Sequence, residues 1–343
     1  MSDKGKSTGN HEKIARLTVI IPTRNRAELL NQTLESVAAQ TMKQEDFELI
    51  VIDNGSTDGT AEVCKEYGMR HENLRYIYDA RPGLHIGRNR GYLESRTDIL
   101  VYADDDIIAS PTWLETIDRG FQDEETVLIG GNNYPCFEGN PPGWMKSLWT
   151  YSYREQARRL ESFSVIVIGN EARKVDPGMI FGCNFAIRKE ILKEAGGFHP
   201  DGVPDSFLKY RGDGETYITQ YIKKRRMKAM FYPGASIQHM VTKQRMTQEY
   251  VKKVAYRTGI SFGYAALRQG KTMTEYGNCF KMALENFYRS RKNMDRRKME
   301  DIRKFYLWKG YLYILIQFCL NKRVREWTKR DSYLDAVIPE YDI

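Results

Sequence analysis

The stretch FELIVIDNGSTDGT, residues 47–60, decides the fold of this chain. The residues before Asp53 are mostly apolar and rich in Ile and Val, which indicates a buried β-strand that ends at this aspartate. A short polar turn follows, and Ser56 to Asp58 are typical of a helix start. A strand that passes through a short turn into a helix is the unit from which parallel α/β sheets are built.

Three further apolar runs surround this stretch, with segments of helical character between them. The runs are LTVIIP (17–22), LRYIYD (74–79) and DILVYADDD (98–106), and the helical segments cover 26–40, 58–67 and 87–95. This alternation predicts an α/β fold, a Rossmann-like and mostly parallel sheet with helices on both faces. Ligands bind beyond the carboxyl ends of the strands in such sheets, so the polar residues there are the candidates for function.

The organisation of the chain changes toward its C-terminus. Regular alternation is lost after residue 126, and the last third predicts long helices over 247–268, 274–293 and 297–322. We expect a disordered tail at 1–14, an α/β domain at 15–240 and a basic helical region at 241–343. The tail lacks the apolar segment of a signal peptide, no run of 18 apolar residues occurs, and the five cysteines are scattered. These features predict a cytoplasmic location.

The net charge of +8 is unevenly distributed. Residues 1–240 hold 31 basic and 34 acidic side chains, whereas residues 241–343 hold 22 and 11. The positive excess therefore belongs wholly to the helical region, and it carries no information about a ligand of the α/β domain.

Three consecutive aspartates, Asp104, Asp105 and Asp106, end the fourth predicted strand. Neighbouring carboxylates raise one another's pKa and resist desolvation, and a divalent cation removes both penalties. Oxygen ligands of this kind suit Mn²⁺ or Mg²⁺ beside a phosphate-bearing substrate. The alternative is an acidic turn that caps the helix predicted after Pro111.

Two other segments suit a nucleotide. Asp53, at the end of its strand, can accept a hydrogen bond from a base or a ribose, although it can equally form an Asx turn or a helix cap. Arg88 and Arg90 lie among glycines in GLHIGRNRG (83–91), where they can bind a diphosphate or simply occupy a solvated helix face.

Together these motifs resemble family 2 glycosyltransferases of the GT-A fold. The segments that carry the resemblance occur in the family's order, over about 17–240: VIIPTRNR, VIDNGSTDGT, GRNRG, VYADDD, GCNFAIRKEIL, GGF, GDGE and a later Pro-x-Ala-x-x-x-His. The resemblance implies a GT-A catalytic domain at 15–240 and transfer of one sugar, of hexosyltransferase type, from a nucleoside-diphosphate donor, expected to be a UDP-sugar. It also implies inversion at the anomeric carbon and a hydroxyl acceptor on a glycan or a lipid-linked molecule, as in polysaccharide biosynthesis.

The resemblance assigns roles to the residues that match the family's motifs. Pro22, Thr23 and Arg24 would line the base pocket, and Asp53 would bind the uracil. Arg88 would hold the nucleotide and Asp104 the ribose, with Asp105 also on the donor side. In the DXD-like motif Asp106 would bind Mn²⁺ or Mg²⁺, and His239 falls where many members place a further metal or diphosphate ligand. The alternative for His239 is a packed or surface histidine.

The catalytic base has two candidates because the family's acidic pair is written here as Gly214-Glu215 within GDGE. Counting back from Pro233 aligns Glu215 with the base, and Asp213 lies two residues earlier. We favour Glu215, which could also be an acidic residue that complements a helix dipole. A carboxylate in this role deprotonates the acceptor hydroxyl.

Other functions fit the sequence less well. A sugar nucleotidyltransferase is expected to have a glycine-rich basic loop after the first strand, where this chain has PTRNRAELL. Haloacid-dehalogenase-type phosphatases place an Asp-x-Asp after the first strand, whereas the aspartates here follow the fourth. A non-catalytic basic protein that binds nucleic acid or membrane would leave the aspartates, GDGE and His239 without a purpose. Lys243-Gln244-Arg245-Met246 does not supply the Gln-x-x-Arg-Trp signature of processive synthases, so single-sugar transfer is expected.

The basic helical region has two interpretations. Residues 288–304 are strongly basic, and the aromatic and aliphatic run FYLWKGYLYILIQFCL (305–320) follows at once. Residues 288–325 can lie on an anionic membrane surface, at the inner face of the membrane and close to a lipid-linked acceptor. Alternatively, the helices dock on the catalytic domain or on a second copy in a homo-oligomer, with their charges in solvent. No role in nucleic-acid binding is expected.

Overall fold

A computed structural model describes residues 15–270, 272–339 and 341 of the chain. The predicted disordered tail at 1–14 lies outside the described residues. Within them, no helix is long and apolar enough to cross a membrane.

Strands and helices largely alternate as far as residue 120, and the last third of the chain is mainly helical. The strands are β1 (Leu17–Thr23), β2 (Phe47–Asp53), β3 (Leu74–Tyr78), β4 (Ile99–Ala103), β5 (Ile107–Ala109), β6 (Thr126–Gly130), β7 (Asn133–Phe137), β8 (Thr150–Ser152), β9 (Ala157–Leu160), β10 (Val165–Val167), β11 (Arg173–Lys174), β12 (Asn184–Arg188), β13 (Lys228–Phe231) and β14 (Ile237–Val241). The helices are α1 (Ala27–Ala38), α2 (Thr60–Arg70), α3 (Leu84–Glu94), α4 (Trp113–Gly120), α5 (Lys189–Glu194), α6 (Glu215–Lys224), α7 (Gln248–Gln269), α8 (Met273–Lys292), α9 (Met299–Leu320) and α10 (Lys322–Thr328).

The main sheet has the strand order β11-β13-β6-β12-β4-β1-β2-β3. Its β4-β1-β2-β3 half is parallel, as the alternation of strands and helices predicts. β12 runs antiparallel between β4 and β6, so the sheet as a whole is mixed. Every residue of β1 and β2 is buried, because helices cover both faces of this part of the sheet.

A second sheet, β5-β14-β7-β10-β9-β8, brings a distant histidine to the aspartates. β14 pairs with β5 so that His239 lies opposite Ile107, the residue after Asp106. The Met240 N–H also donates to the Asp106 carbonyl oxygen at 2.8 Å. This strand pairing, rather than any local sequence pattern, joins His239 to a motif more than 130 positions earlier in the chain.

The C-terminal helices confirm the predicted helical region and add α10, which the sequence did not predict as a separate helix. α7 and α9 form an extensive helix pair. Their core also contains Val203 and Tyr210 of the α/β part, so the helical region packs directly on that part. The predicted boundary near residue 241 stays a prediction.

Candidate functional site

The carboxyl ends of β1, β2 and β4 meet at one edge of the main sheet. Thr23 is the last residue of β1, and Asp104 to Asp106 follow directly after β4. The Thr23 hydroxyl donates to Asp105 Oδ2 at 2.7 Å, which ties the two strand ends together. The polar residues selected from the sequence are therefore neighbours in space.

Asp105 and Asp106 are buried carboxylates that two arginines neutralise. Arg26 donates to Asp105 Oδ1 and to Asp106 Oδ2, both at 2.6 Å, and Arg245 donates to Asp106 Oδ2 at 2.9 Å. Burial raises the pKa of Asp105, although Arg26 opposes the shift. Burial opposes ionisation of Asp106 too, but His239 in its protonated form, together with Arg26 and Arg245, holds its pKa well below the usual range. Asp106 is thus a permanent anion in this site.

The geometry between Asp106 and His239 shows whether these two side chains suit a metal ion. His239 Nδ1 lies 2.7 Å from the carbonyl oxygen of Phe163, and since a carbonyl only accepts, Nδ1 carries the hydrogen. His239 Nε2 lies 3.1 Å from Asp106 Oδ1. In the neutral ring two lone pairs face each other there, and Asp106 Oδ1 is a buried oxygen without a hydrogen-bond donor among the described residues.

A cation between these two atoms, or a second proton on the ring, removes the repulsion. Carboxylate oxygen and imidazole nitrogen are ordinary ligands of Mn²⁺. Ligand atoms of Asp104, Cys183 and His239 also lie within 4.8 Å of one another at this point. The residues present therefore fit a divalent cation, for which Asp106 Oδ1 and His239 Nε2 are the candidate ligands.

A cavity of about 210 Å³ extends from the aspartates toward the N-terminus of α3. Pro22, Thr23 and Arg24, the residues predicted for the base pocket, line it together with Asn54, and the binding of a base there stays a prediction. Asp53 is only 1% exposed and does not line this cavity; its Oδ1 accepts from the Ser56 N–H and its Oδ2 from the Tyr76 hydroxyl, both at 2.7 Å. The turn alternative for Asp53 is thus present, and its contact with a base stays a prediction.

Arg88 connects Asp104 to the predicted base, Glu215. It is buried in α3 and donates to Asp104 Oδ1 at 3.2 Å and to Glu215 Oε2 at 3.1 Å. Although burial opposes the charge, Glu215, Asp104 and Asp201 raise the pKa of Arg88. The guanidinium is a fixed cation that holds two carboxylates near each other. Arg90, in contrast, faces away and pairs with Glu94 at 2.6 Å.

The two candidate bases occupy different environments. The Glu215 side chain is 27% exposed, and its Oε1 accepts from the Gly182 N–H at 3.3 Å. It begins α6 directly after Gly214, whose φ of 54° suits glycine and brings the chain close to the Asp201 side chain. Asp213 is 7% exposed and lies 2.7 Å from Nδ1 of the buried His199. Glu215 alone of this pair contacts Arg88.

Sequence reasoning missed Arg26 and Arg245. Arg26 belongs to the quoted VIIPTRNR motif, but no local signal distinguishes it from Arg24. Arg245 was considered only as part of a processive signature, and its role depends on the turn after β14. Both line a second cavity of about 460 Å³, which Asp104 and Asp106 also line.

Known proteins share part of this sequence. The chain is 35% identical over 117 residues to the glycosyltransferase AglE of Haloferax volcanii, a match that covers 34% of this chain and 38% of AglE. It is 35% identical over 111 residues to a validoxylamine A glucosyltransferase of Streptomyces hygroscopicus subsp. jinggangensis, covering 32% of this chain and 26% of that protein. The chain thus spans well under half the length of these curated relatives.

Two solved structures share the fold over most of the chain. The mannosyltransferase PcManGT of Pyrobaculum calidifontis, in complex with GDP-Man and Mn²⁺, has a TM-score of 0.51 at 18% identity and covers 93% of this chain and 84% of its own. S. aureus TarS 1–349, in complex with UDP-GlcNAc, has a TM-score of 0.51 at 15% identity, with 91% and 83% covered. The family model "Glycosyl transferase family 2" matches residues 18–196, more than half of the chain. The predicted fold and family are thus confirmed, and the chain belongs to glycosyl transferase family 2.

Proposed function

We propose that this protein transfers one sugar, with inversion at the anomeric carbon, from a nucleoside-diphosphate donor to a hydroxyl group of a glycan or lipid-linked acceptor. One observation carries the proposal. Arg88 donates hydrogen bonds to both Asp104 and Glu215, so a carboxylate of the donor side and the candidate base lie on either side of one buried cation. Inverting transfer requires these two functions on opposite sides of the reacting carbon.

Glu215 is the proposed general base. It is partly exposed and contacts Arg88, whereas Asp213 is nearly buried and pairs with His199. The Glu215 carboxylate takes the proton from the acceptor hydroxyl as that oxygen attacks the anomeric carbon. Arg88 and the Gly182 N–H fix the orientation of the carboxylate before the acceptor arrives. Asp213 is then a positioning residue for the GDGE loop.

The leaving diphosphate is expected to lie beside Arg26, Arg245, Asp106 and His239. The two arginines line the cavity of about 460 Å³ and carry permanent positive charge, which stabilises a developing diphosphate. A divalent cation held by Asp106 and His239, when bound, supplies Lewis-acid stabilisation of the same charge. The chain's own contribution is to keep Asp106 ionised and to orient its free Oδ1 toward His239.

The nucleotide is proposed to occupy the cavity lined by Pro22, Thr23, Arg24 and Asn54. The two solved structures that share the fold were obtained with different donors, GDP-Man and UDP-GlcNAc. The sequence resemblance favours a uridine diphosphate donor. For the uracil to contact Asp53, either the Tyr76 hydroxyl must leave the Asp53 carboxylate, or the base must contact the edge of that carboxylate while Tyr76 stays bound. A donor screen must therefore include both uridine and guanosine diphosphate sugars.

The experiment has two steps. Thermal-shift and calorimetric titration with UDP-sugars and GDP-sugars, with Mn²⁺ or Mg²⁺ and with EDTA, identifies the donor. Release of the nucleoside diphosphate is then measured for the wild type and for Glu215→Gln. We expect Glu215→Gln to bind the donor normally and to lose about 10²- to 10⁴-fold in turnover, the usual contribution of a general base.

Asp213→Asn is the matched control, because it neutralises the other carboxylate of the same loop. It should retain most of the turnover and mainly lower thermal stability through loss of the His199 pairing. Near-normal turnover by Glu215→Gln together with an inactive Asp213→Asn would transfer the role of base to Asp213. If the metal stimulates release of the nucleoside diphosphate from none of the donors, the proposed reaction itself is contradicted.

A further inference from the structure

α8 is a long helix that buries very little of its own surface. Only Ala283 is buried among its 20 residues. Its attachment to α9 is through aromatic contacts, Tyr276 with Phe318 and Phe287 with Phe305, at centroid distances of 5.3 Å in both pairs. A helix of this length in a folded protein normally buries a full apolar stripe, so part of the α8 stripe lacks a partner in the chain described here.

The apolar run of α9 is mostly used in packing. Tyr311, Ile314 and Leu315 are buried against α7 and its neighbours. Near the end of the helix, however, Ile316 is 42% exposed and Leu320 is 79% exposed. The run that suggested a membrane segment is therefore divided between an inner face, which is covered by protein, and an outer face, which is not.

The uncovered faces of α8 and α9 meet in an apolar groove of about 1350 Å³. Met273 (83% exposed) and Leu284 (46% exposed) of α8 form one wall, and Ile316 and Leu320 of α9 form the other. Exposed large apolar side chains that adjoin one another mark interaction surfaces more often than isolated ones do.

The charges around this groove are mostly positive. Lys281, Arg325 and Lys329 line it, against the single acidic residue Glu285. The last turn of α8 adds exposed basic residues on the same helix: Arg289, Arg291 and Lys292. An apolar strip flanked by basic side chains is the pattern of helices that lie in the plane of an anionic membrane surface.

We propose that α8 and the C-terminal end of α9 bind the anionic surface of a lipid bilayer, with the groove's apolar side chains among the acyl chains and the basic residues at the headgroups. Charge decides between this surface and a second copy of the chain. An isologous contact would bring the same basic face against itself, in a region of 22 basic and 11 acidic residues. The inference goes beyond the proposed transfer reaction and does not depend on it.

The test is co-sedimentation of the full chain at low salt with vesicles of phosphatidylglycerol and phosphatidylcholine, and with phosphatidylcholine alone. We expect binding to the anionic vesicles only. The triple variant Arg289→Gln, Arg291→Gln, Lys292→Gln should bind about 100-fold more weakly, since each basic residue contributes about 1 kcal/mol near such a surface. The double variant Leu284→Glu, Leu320→Glu should also lose binding.

Met69→Glu is the matched control for the apolar positions, because Met69 is 73% exposed on α2 and lies outside the groove. It should bind vesicles as the wild type does. Binding that survives in the Leu284→Glu, Leu320→Glu variant would overturn the role of the groove. Absence of binding to anionic vesicles would overturn the proposal, and a dimer in sedimentation analysis that this double variant dissociates would identify a second copy as the occupant.

Discussion

His85 is a fully buried histidine at the start of α3 that makes the folded state sensitive to pH. Its side chain is 0% exposed, and its Nε2 has no hydrogen-bond partner among the described residues. Burial is the largest cause that lowers its pKa, to about 4 from the ordinary value of 6.5. The folded protein therefore keeps this ring neutral at a pH at which the unfolded chain binds a proton.

This difference predicts the direction of a pH effect. Above about pH 6.5 both states are neutral at His85, and the free energy of unfolding is not affected. As the pH falls from 6.5 toward 4, only the unfolded state takes up the proton, so the free energy of unfolding should decrease by roughly 2 kcal/mol at pH 5. Urea unfolding at pH 7 and pH 5 measures the change.

His85→Gln is the comparison for this measurement, because glutamine does not titrate. The difference in the free energy of unfolding between pH 7 and pH 5 should be smaller in His85→Gln by roughly the same 2 kcal/mol. His199, whose pKa is also lowered by burial, is present in both proteins and cancels. Equal pH dependence in the two proteins would show that His85 takes up its proton without unfolding.

At the residue scale, the sequence predicted the carboxylates better than the cations that hold them. Asp104 to Asp106 follow a recognisable strand, which marks them locally, whereas Glu215 was selected through the family resemblance, by counting back from Pro233. Arg245 contacts Asp106 across 139 positions, and only the pairing of β14 with β5 determines that contact. Whether a basic residue faces a site or solvent depends on tertiary structure, as Arg88 and Arg90 show two positions apart in one helix.

At the element scale, two glycines allow α7 and α9 to approach closely. A Cβ added to Gly310 would overlap the Tyr256 carbonyl oxygen, and one added to Gly259 would overlap the Leu307 carbonyl oxygen. Both obstructing atoms are backbone, so a side-chain rotation cannot relieve the overlap. The two helices would have to move apart, with loss of packing along their whole contact.

Gly310→Ala is therefore expected to lower the free energy of unfolding by about 2 kcal/mol or more, the usual effect of overpacking a close contact. Gly277→Ala is the matched control, since it lies in the neighbouring helix α8 and an added Cβ there has open space. Alanine should stabilise that position by about 0.5 to 1 kcal/mol through its helix preference. Denaturant unfolding measures the free energy of unfolding of both variants. An unchanged free energy of unfolding in Gly310→Ala would mean that the two helices move apart without penalty.

The elements of the parallel half were predictable because each strand is an apolar run between polar turns. β1 and β2 begin at the predicted residues, and the three long C-terminal helices lie within three residues of the predicted ends. The second sheet was not predicted, since β5, β8 and β10 have three residues each and too little length to show alternation. Pairing with distant strands, not local preference, stabilises such short segments.

At the scale of the whole molecule, the C-terminal segment returns to the α/β part and is anchored there by Asn89 of α3. The Asn89 Nδ2 donates to the carbonyl oxygens of Tyr333 at 2.9 Å and Phe198 at 3.0 Å, and its Oδ1 accepts from the Phe198 N–H at 2.9 Å. Gly196 accepts a backbone hydrogen bond from Tyr333 at 2.8 Å. Arg88, which holds Glu215, is the residue before Asn89, so the anchor and the site share one turn of helix.

This connection predicts that the helical region and the α/β part unfold together. Asn89→Ala leaves the Phe198 N–H and the Phe198 carbonyl oxygen without the partners they have here, and it should lower the free energy of unfolding by about 3 kcal/mol. Because Asn89 and the shared core around Val203 and Tyr210 join the two parts, the urea midpoint should shift equally whether unfolding is followed by helical circular dichroism or by loss of donor binding. Asn286→Ala on α8, where the amide bonds to Met282 of its own helix and to no other residue that the structure describes, should leave both midpoints within error. Two separate transitions, of which Asn89→Ala shifts only one, would show instead that the basic helices are an independent unit and that the site does not depend on them.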